Sequence, residues 1–155
     1  MRNKLMKRKR IFWLVAIAGI IFDQITKFLV VQKFAEINST FPIWEGVFHF
    51  TYVINTGAAF SVFSGLVEIL RWVSLIVSLL LIIFVWYSPR LSLSEQLGYG
   101  FILAGAVGNG IDRFLFGYVV DFLDFRLINF PVFNIADISI NIGVVLLLLA
   151  TFSKP

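Results

Sequence analysis

Asp121 and Asp137 are the residues of this chain best suited to chemistry. They lie in Val119-Val120-Asp121-Phe122-Leu123-Asp124 and Phe133-Asn134-Ile135-Ala136-Asp137-Ile138, inside a sequence that is 59% hydrophobic. A carboxylate at the margin of an apolar span is costly to keep there, so its presence needs a reason. Two carboxyls that approach each other share one proton. The ionised member can take a proton from water while the protonated member polarises a carbonyl, which is aspartyl hydrolysis. For Asp137 alone, the plain alternative is an acid favoured by the dipole at a helix N-terminus. Asp124 competes with Asp121, and residue type does not choose between them. Asp124 also has Arg126 within reach as a solvated partner.

Other polar residues stand in equally apolar surroundings. Asn109, Asp112 and Arg113 occur as Gly108-Asn109-Gly110-Ile111-Asp112-Arg113, and their spacing puts all three on one helical face. Asp112 and Arg113 form an ion pair on one reading. On the other, Asn109 and Arg113 bind a peptide backbone or a lipid headgroup. Asp23 and Lys27 repeat the i, i+4 spacing, as an intrahelical salt bridge or as part of a site. Asn55-Thr56-Gly57-Ala58-Ala59-Phe60 is either a plain loop or a backbone-rich wall for an extended substrate. The single His49 reads as structural. Trp13, Trp44, Trp72 and Trp86 include candidate interfacial anchors.

The elements that must position these groups are membrane spans. Of 155 residues only 14% are charged and 18 are Phe, with a mean hydropathy of +0.93. A soluble domain of that size could not hide so much apolar surface, so lipid is the solvent for much of it. The length suits about four spans plus a small external element, and is too short for a transporter built from two helical repeats. The net charge is +4, and six of the 13 Lys and Arg residues fall in the first ten positions. No basic face continues beyond that tail, which argues against nucleic acid and for an anchor beside anionic lipid on the cytoplasmic side. There is no Cys and one His, which excludes disulfides, a thiol nucleophile and Cys-ligated zinc and leaves no His-rich metal site. No cofactor is expected. The basic start and following apolar run imitate a signal peptide, but no small-x-small cleavage site follows, so the run reads as an uncleaved first span.

Hydropathy places spans at about 11–31, 66–87, 97–116 and 134–152, with external segments at about 34–65 and 117–133. The fold class expected is an all-α membrane protein of one domain over 1–155. The run 47–53 reads as a short sheet or extended segment. With the N-terminus cytoplasmic and an even number of spans, both termini are cytoplasmic. Asp23, Lys27, Asn109, Asp112, Arg113, Asn134 and Asp137 then converge at the outer membrane face, with Asn55 and Asp121 in the external segments. The inner halves of the spans are almost purely apolar.

Five motifs now occur in order: Asp23-Gln24-Ile25-Thr26-Lys27, Asn55-Thr56-Gly57-Ala58-Ala59-Phe60, Gly108-Asn109-Gly110-Ile111-Asp112-Arg113, Val119-Val120-Asp121-Phe122-Leu123-Asp124 and Phe133-Asn134-Ile135-Ala136-Asp137. Together they make the chain closely resemble bacterial lipoprotein signal peptidase, also called signal peptidase II, over nearly its whole length. The resemblance implies an aspartyl protease of the bacterial inner membrane. Such an enzyme removes signal peptides from prolipoproteins once the Cys after the cleavage site carries a diacylglyceryl group. It implies Asp121 and Asp137 as the catalytic pair. Asn55, Gly57, Asn109, Asp112, Arg113 and Asn134 match substrate-binding positions, and Asp23 and Lys27 match the first-span motif. It further implies an external β-cradle at residues 38 to 64, an amphipathic external helix near 117 to 130, a monomer among membrane lipids, and inhibition by cyclic peptides such as globomycin. Asn141 is a mild departure, since an apolar residue would be unremarkable there.

Two rivals remain open at this level. A small transporter or channel subunit would carry polar residues through the full membrane thickness, and the inner halves lack them. An assembly factor without activity would release no peptide from a lipidated precursor.

Overall fold

A computed structural model describes residues 9–57 and 65–152. The basic tail before residue 9 and the run Ala58-Ala59-Phe60 lie outside the described residues. Four long helices follow the hydropathy: α1 (Arg10–Lys33), α2 (Val67–Tyr87), α3 (Leu93–Leu115) and α4 (Ile135–Phe152). Among the described residues, α1, α2 and α4 are long and apolar enough to cross a membrane. α3 begins at residue 93, ahead of the expected 97, because Ser92 and Glu95 form a reciprocal capping box that satisfies the first orphan N–H groups.

α3 is the helix against which α1, α2 and α4 all pack. Its small residues explain why. A Cβ on Gly105 would meet the Ala136 carbonyl and lie 2.5 Å from Ile140 Cγ1, and one on Gly143 of α4 would lie 2.6 Å from the Gly98 carbonyl. The α3–α4 seam is therefore set by backbone approach. Gly105→Ala must push the two helices apart, at a cost of about 1–3 kcal/mol. Its thermal unfolding in detergent should begin several degrees below the wild type; an unchanged transition would mean the seam is loose.

The polarity of the bundle is inverted relative to a soluble protein. Large apolar side chains such as Leu14, Phe28, Leu80, Ile83 and Leu149 face outward, while Asp23, Lys27, Asn109, Asp112, Arg113 and Asn134 are buried. That arrangement is stable only where the surroundings are apolar. Trp44, Trp72 and Trp86 are exposed, and Trp13 packs edge-on against Phe12.

A three-stranded antiparallel sheet caps one end, in the order β1 (Thr40–Trp44), β2 (Phe48–Asn55), β3 (Val119–Phe125). β1 and β2 fall within the segment where a cradle is expected. β3 corrects the expectation of an amphipathic helix near 117 to 130. That stretch is a strand, followed by a single 3-10 turn at Arg126–Ile128. The physical reason is twofold. Its β-branched and aromatic residues fit a pleated surface, and β2 offers an edge whose backbone groups need partners. The register pairs Asn55 with Val119 and His49 with Asp124, with an irregularity between Phe50 and Val53. Val30, Tyr52, Val120, Phe122 and Leu123 form a core that clamps the sheet onto the end of α1.

Candidate active site

Asp121 and Asp124 are three residues apart on β3, and a strand sends such residues to opposite faces. Asp124 turns to a polar cluster on the sheet. It accepts from Thr51 Oγ1 at 2.6 Å and pairs with Arg126 Nε at 2.9 Å. Burial pushes the Asp124 carboxyl up, but the hydrogen bonds from Thr51 and Arg126 and the charge of Arg126 outweigh it and hold it below its ordinary value. The expected Asp124–Arg126 pair therefore exists, with Asp124 buried rather than solvated. His49 is buried beside it, between Thr40 Oγ1 and the Gly46 N–H, as a structural group.

Asp121 turns the other way, into a cavity of about 740 Å³ that Asp137 also lines. Asp121 is 1% exposed. Asn134 Nδ2 donates to its Oδ1 at 2.6 Å, and Asn55 Nδ2 donates to its Oδ2 at 2.8 Å. Asp137 sits in the first turn of α4. Asn109 Nδ2 donates to its Oδ1 at 2.9 Å, and the Asn134 backbone N–H donates to its Oδ2 at 3.2 Å. Asn134 thus binds both acids, and its own Oδ1 accepts the Asp137 N–H at 3.0 Å. This is a reciprocal cap at the start of α4 that also ties the helix to β3. Burial first, and the charge of Asp137 second, push the Asp121 carboxyl up to about 7, against the pull of Asn55, Asn134 and Lys27. Two acids brought together this way have room to share one proton and to activate a water in the cavity.

Around the pair, the cavity wall is largely apolar. Leu70, Val73 and Val77 come from α2 and Ile140 from α4, with Phe130 to Phe133 along one rim. Asn55, Asn109 and Arg113 supply polar lining. Arg113 reaches away from its neighbour Asp112. Its Nη1 donates to Ser74 Oγ and its Nη2 to the Gly57 carbonyl, both at 3.2 Å. Its buried Nε has no hydrogen-bond partner among the described residues.

Of the two readings open for this motif, the Asp112–Arg113 ion pair does not form, while Asn109 and Arg113 both line the cavity and Asp112 does not. Asp112 faces α1, where Lys27 Nζ lies 3.0 Å from its Oδ2 and Gln24 Nε2 donates to its Oδ1 at 3.0 Å. Its Oδ2 also accepts the Val120 N–H, which ties α3 to β3. The α1 salt bridge does form, with Lys27 Nζ 2.9 Å from Asp23 Oδ2. Asp23 in turn accepts the Ala136 N–H at 2.9 Å. Asp23, Lys27 and Asp112 therefore make a buried cluster behind the cavity rather than part of its lining.

Sequence reasoning passed over Ser74, Gln24 and Thr51. Ser74 had a readable signal, as one of few hydroxyls within an apolar span. Gln24 was legible only as part of its motif. Asn141, noted as a departure, lines the cavity one turn after Asp137.

The family described as Signal peptidase (SPase) II matches residues 15–153. The Lipoprotein signal peptidase of Gloeothece citriformis (strain PCC 7424) is 69% identical over 148 residues, 96% of this chain and 92% of that protein. The protein of that name from Microcystis aeruginosa (strain NIES-843 / IAM M-2473) is 66% identical over 148 residues, 96% of each. A solved structure described as "Bacterial membrane enzyme structure by the in meso method at 2.3 A resolution" superposes with a TM-score of 0.83 at 35% identity, covering 90% of this chain and 85% of that one. A second, at 1.9 A resolution, gives 0.80 at 35% identity, with 92% of each chain covered.

Proposed function

This chain belongs to the signal peptidase II family, and from that premise we propose that it removes signal peptides from diacylglyceryl-modified prolipoproteins, with Asp121 and Asp137 as the catalytic pair. The observation that carries this reading is the convergence of both acids on one cavity, with each of their four oxygens accepting a hydrogen bond.

The chemistry follows from two acids that share one proton. The ionised carboxylate takes a proton from water, and the water oxygen bonds to the scissile carbonyl carbon. The protonated carboxyl donates to the carbonyl oxygen as charge develops there. A proton then passes from the pair to the leaving nitrogen as the C–N bond breaks. The products are a signal peptide with a new carboxylate and a lipoprotein with a free α-amine. Asn55 and Arg113 line the cavity and would meet an extended substrate there, with Asn55 held by Asp121 and Gly57, and Arg113 held by Ser74 and the Gly57 carbonyl. Cyclic peptides of the globomycin type would occupy the same cavity. The direct test is release of signal peptide from a lipidated precursor by the purified protein in detergent. No release would sink the reading.

The pH dependence has a definite sign. With Asp121 titrating at about 7, the pair keeps its shared proton below that value and loses it above. kcat/KM should fall as pH rises through about 7, since that ratio reports the free enzyme. Stability should move the same way. Asp121 is raised from 3.8, so its contribution is fully present below that pH and is lost as pH rises through about 7. Asp121→Asn should flatten this fall in the unfolding temperature between pH 4 and 8. An alkaline optimum for the wild type would contradict the assignment.

The membrane arrangement is read as four spans. α3, of 23 residues, is about as long as its neighbours, and they enclose its polar side chains, so lipid does not meet them. The basic tail directs both termini to the cytoplasm and the cavity to the outer face of the inner membrane. A reporter active only outside the cytoplasm should be active when fused near Asn38 and silent when fused after Pro155. The reverse pattern would turn the site to the cytoplasmic side.

A further inference from the structure

Lys27 is 3% exposed, and its hydrogen bonds go to neither of the two cavity acids. An ammonium group carries three donors and no acceptor. All three are used: Nζ lies 2.9 Å from Asp23 Oδ2, 3.0 Å from Asp112 Oδ2 and 2.9 Å from Asn109 Oδ1. The first two contacts are ion pairs. The third goes to a neutral amide, and what it does there is fix which way round that amide sits.

A carboxamide is nearly symmetrical in shape, so either end of Asn109 would fit against Asp137. Two neighbours remove the choice. Lys27 can only donate, so the Asn109 oxygen must face it. Asn134 Nδ2 donates to the same oxygen at 3.0 Å. Asn134 is itself held the right way round, because its Oδ1 accepts the Asp137 backbone N–H, a group that cannot accept. The Asn109 nitrogen is left facing Asp137 Oδ1 at 2.9 Å. A flipped Asn109 would set an amide oxygen against a carboxylate oxygen and its nitrogen against an ammonium.

We propose that Lys27 is a positioning residue of this peptidase: it locks Asn109 so that the amide donates to Asp137 and holds that carboxyl as the acceptor that takes the proton from water. This rests on Asp121 and Asp137 being the catalytic pair. The groups facing Lys27 are Asp23 from α1 and Asp112 and Asn109 from α3. Behind Asn109 lie Asp137 from α4 and Asp121 from β3, and Arg113 on the α2 side is the other nearby cation.

Lys27→Met alone would leave Asp23 and Asp112 buried without a counter-charge and is open to simple misfolding. The informative variant is therefore the double Asp23→Asn/Lys27→Met. It removes one negative and one positive charge, keeps an acceptor for the Ala136 N–H, and leaves Asp112 as a single buried carboxyl still held by Gln24 Nε2 and the Val120 N–H, so thermal unfolding of each variant is measured beside turnover. The Asp23→Asn single gives the baseline. Relative to it, kcat of the double should fall by about tenfold or more, with KM within about twofold. The pH profile of kcat should move to higher pH, because a positive charge near the pair has gone. Lys27→Arg keeps charge and donors and should recover part of the loss. If the double matches the Asp23→Asn single in kcat and pH profile, Lys27 does not position the pair. A loss confined to KM would make it a substrate contact, and a loss confined to thermal stability would make it packing; either overturns the proposal. Failure of the wild type to release peptide would instead overturn the peptidase reading, before any variant is compared.

Discussion

Asp121→Asn and Asp137→Asn should each lower signal peptide release by roughly four orders of magnitude, the scale seen when one member of a catalytic unit is removed. The mechanism asks one acid to hold a proton while the other accepts one. An amide does neither, so neither acid can cover for the other. The fold should survive. At Asp121 the change removes a buried ionisable group and leaves an isosteric side chain. One of its ends then meets Asn134 Nδ2 or Asn55 Nδ2 donor to donor, at a cost of about 1–3 kcal/mol. Asp124→Asn is the matched control. That carboxyl faces Thr51 and Arg126 on the other side of β3, and the variant should retain most of its activity. The measurement is turnover of a lipidated precursor by monodisperse protein. A working Asp121→Asn beside a dead Asp124→Asn would show that the wrong face of the strand has been chosen.

Removing the lipid from the substrate should have the next largest effect. The cavity presents few charged groups and a wall of Leu70, Val73, Val77 and Ile140, and the helices around it expose apolar side chains outward. A substrate held at such a boundary gains about 0.8 kcal/mol for each methylene it buries. Burial of only five methylenes therefore amounts to about 4 kcal/mol, or roughly a thousandfold. Precursor carrying diacylglyceryl-Cys should be cut, and the same precursor without lipid should be cut at least a hundredfold more slowly at equal concentration. Gel shift of the two substrates side by side decides it. Equal rates would mean that acyl chains play no part in recognition and that the enzyme is a general membrane protease.

Much of this site is legible in the sequence because its signals are local or costly. Asp23 and Lys27 pair at i, i+4 whatever the rest of the chain does, and the salt bridge forms as that spacing allows. Asp121 and Asp137 stand out because carboxylates are expensive beside lipid. The helices α1, α2 and α4 follow from long apolar runs, whereas hydropathy sets the start of α3 at 97 instead of 93 because it does not report the Ser92–Glu95 box.

What the sequence left open has one physical origin, the need for a partner distant along the chain. Residues 119–125 are a strand because β2 lies alongside them, and no local pattern reports that neighbour. Until that strand exists, its two-residue period cannot send Asp121 and Asp124 to opposite faces, so residue type alone leaves them equivalent. Asp112 has Arg113 beside it in the chain, yet it takes Lys27 from another helix, since burial puts the ammonium within 3.0 Å and turns the guanidinium toward Ser74 and Gly57. The orientations of Asn109 and Asn134 depend on donors that come from other helices or from a folded backbone. Composition and spacing thus determined the solvent of this protein, its long apolar helices and its short list of acids. Tertiary structure decided which acid meets which, because hydrogen bonds and buried charges choose partners by distance in space.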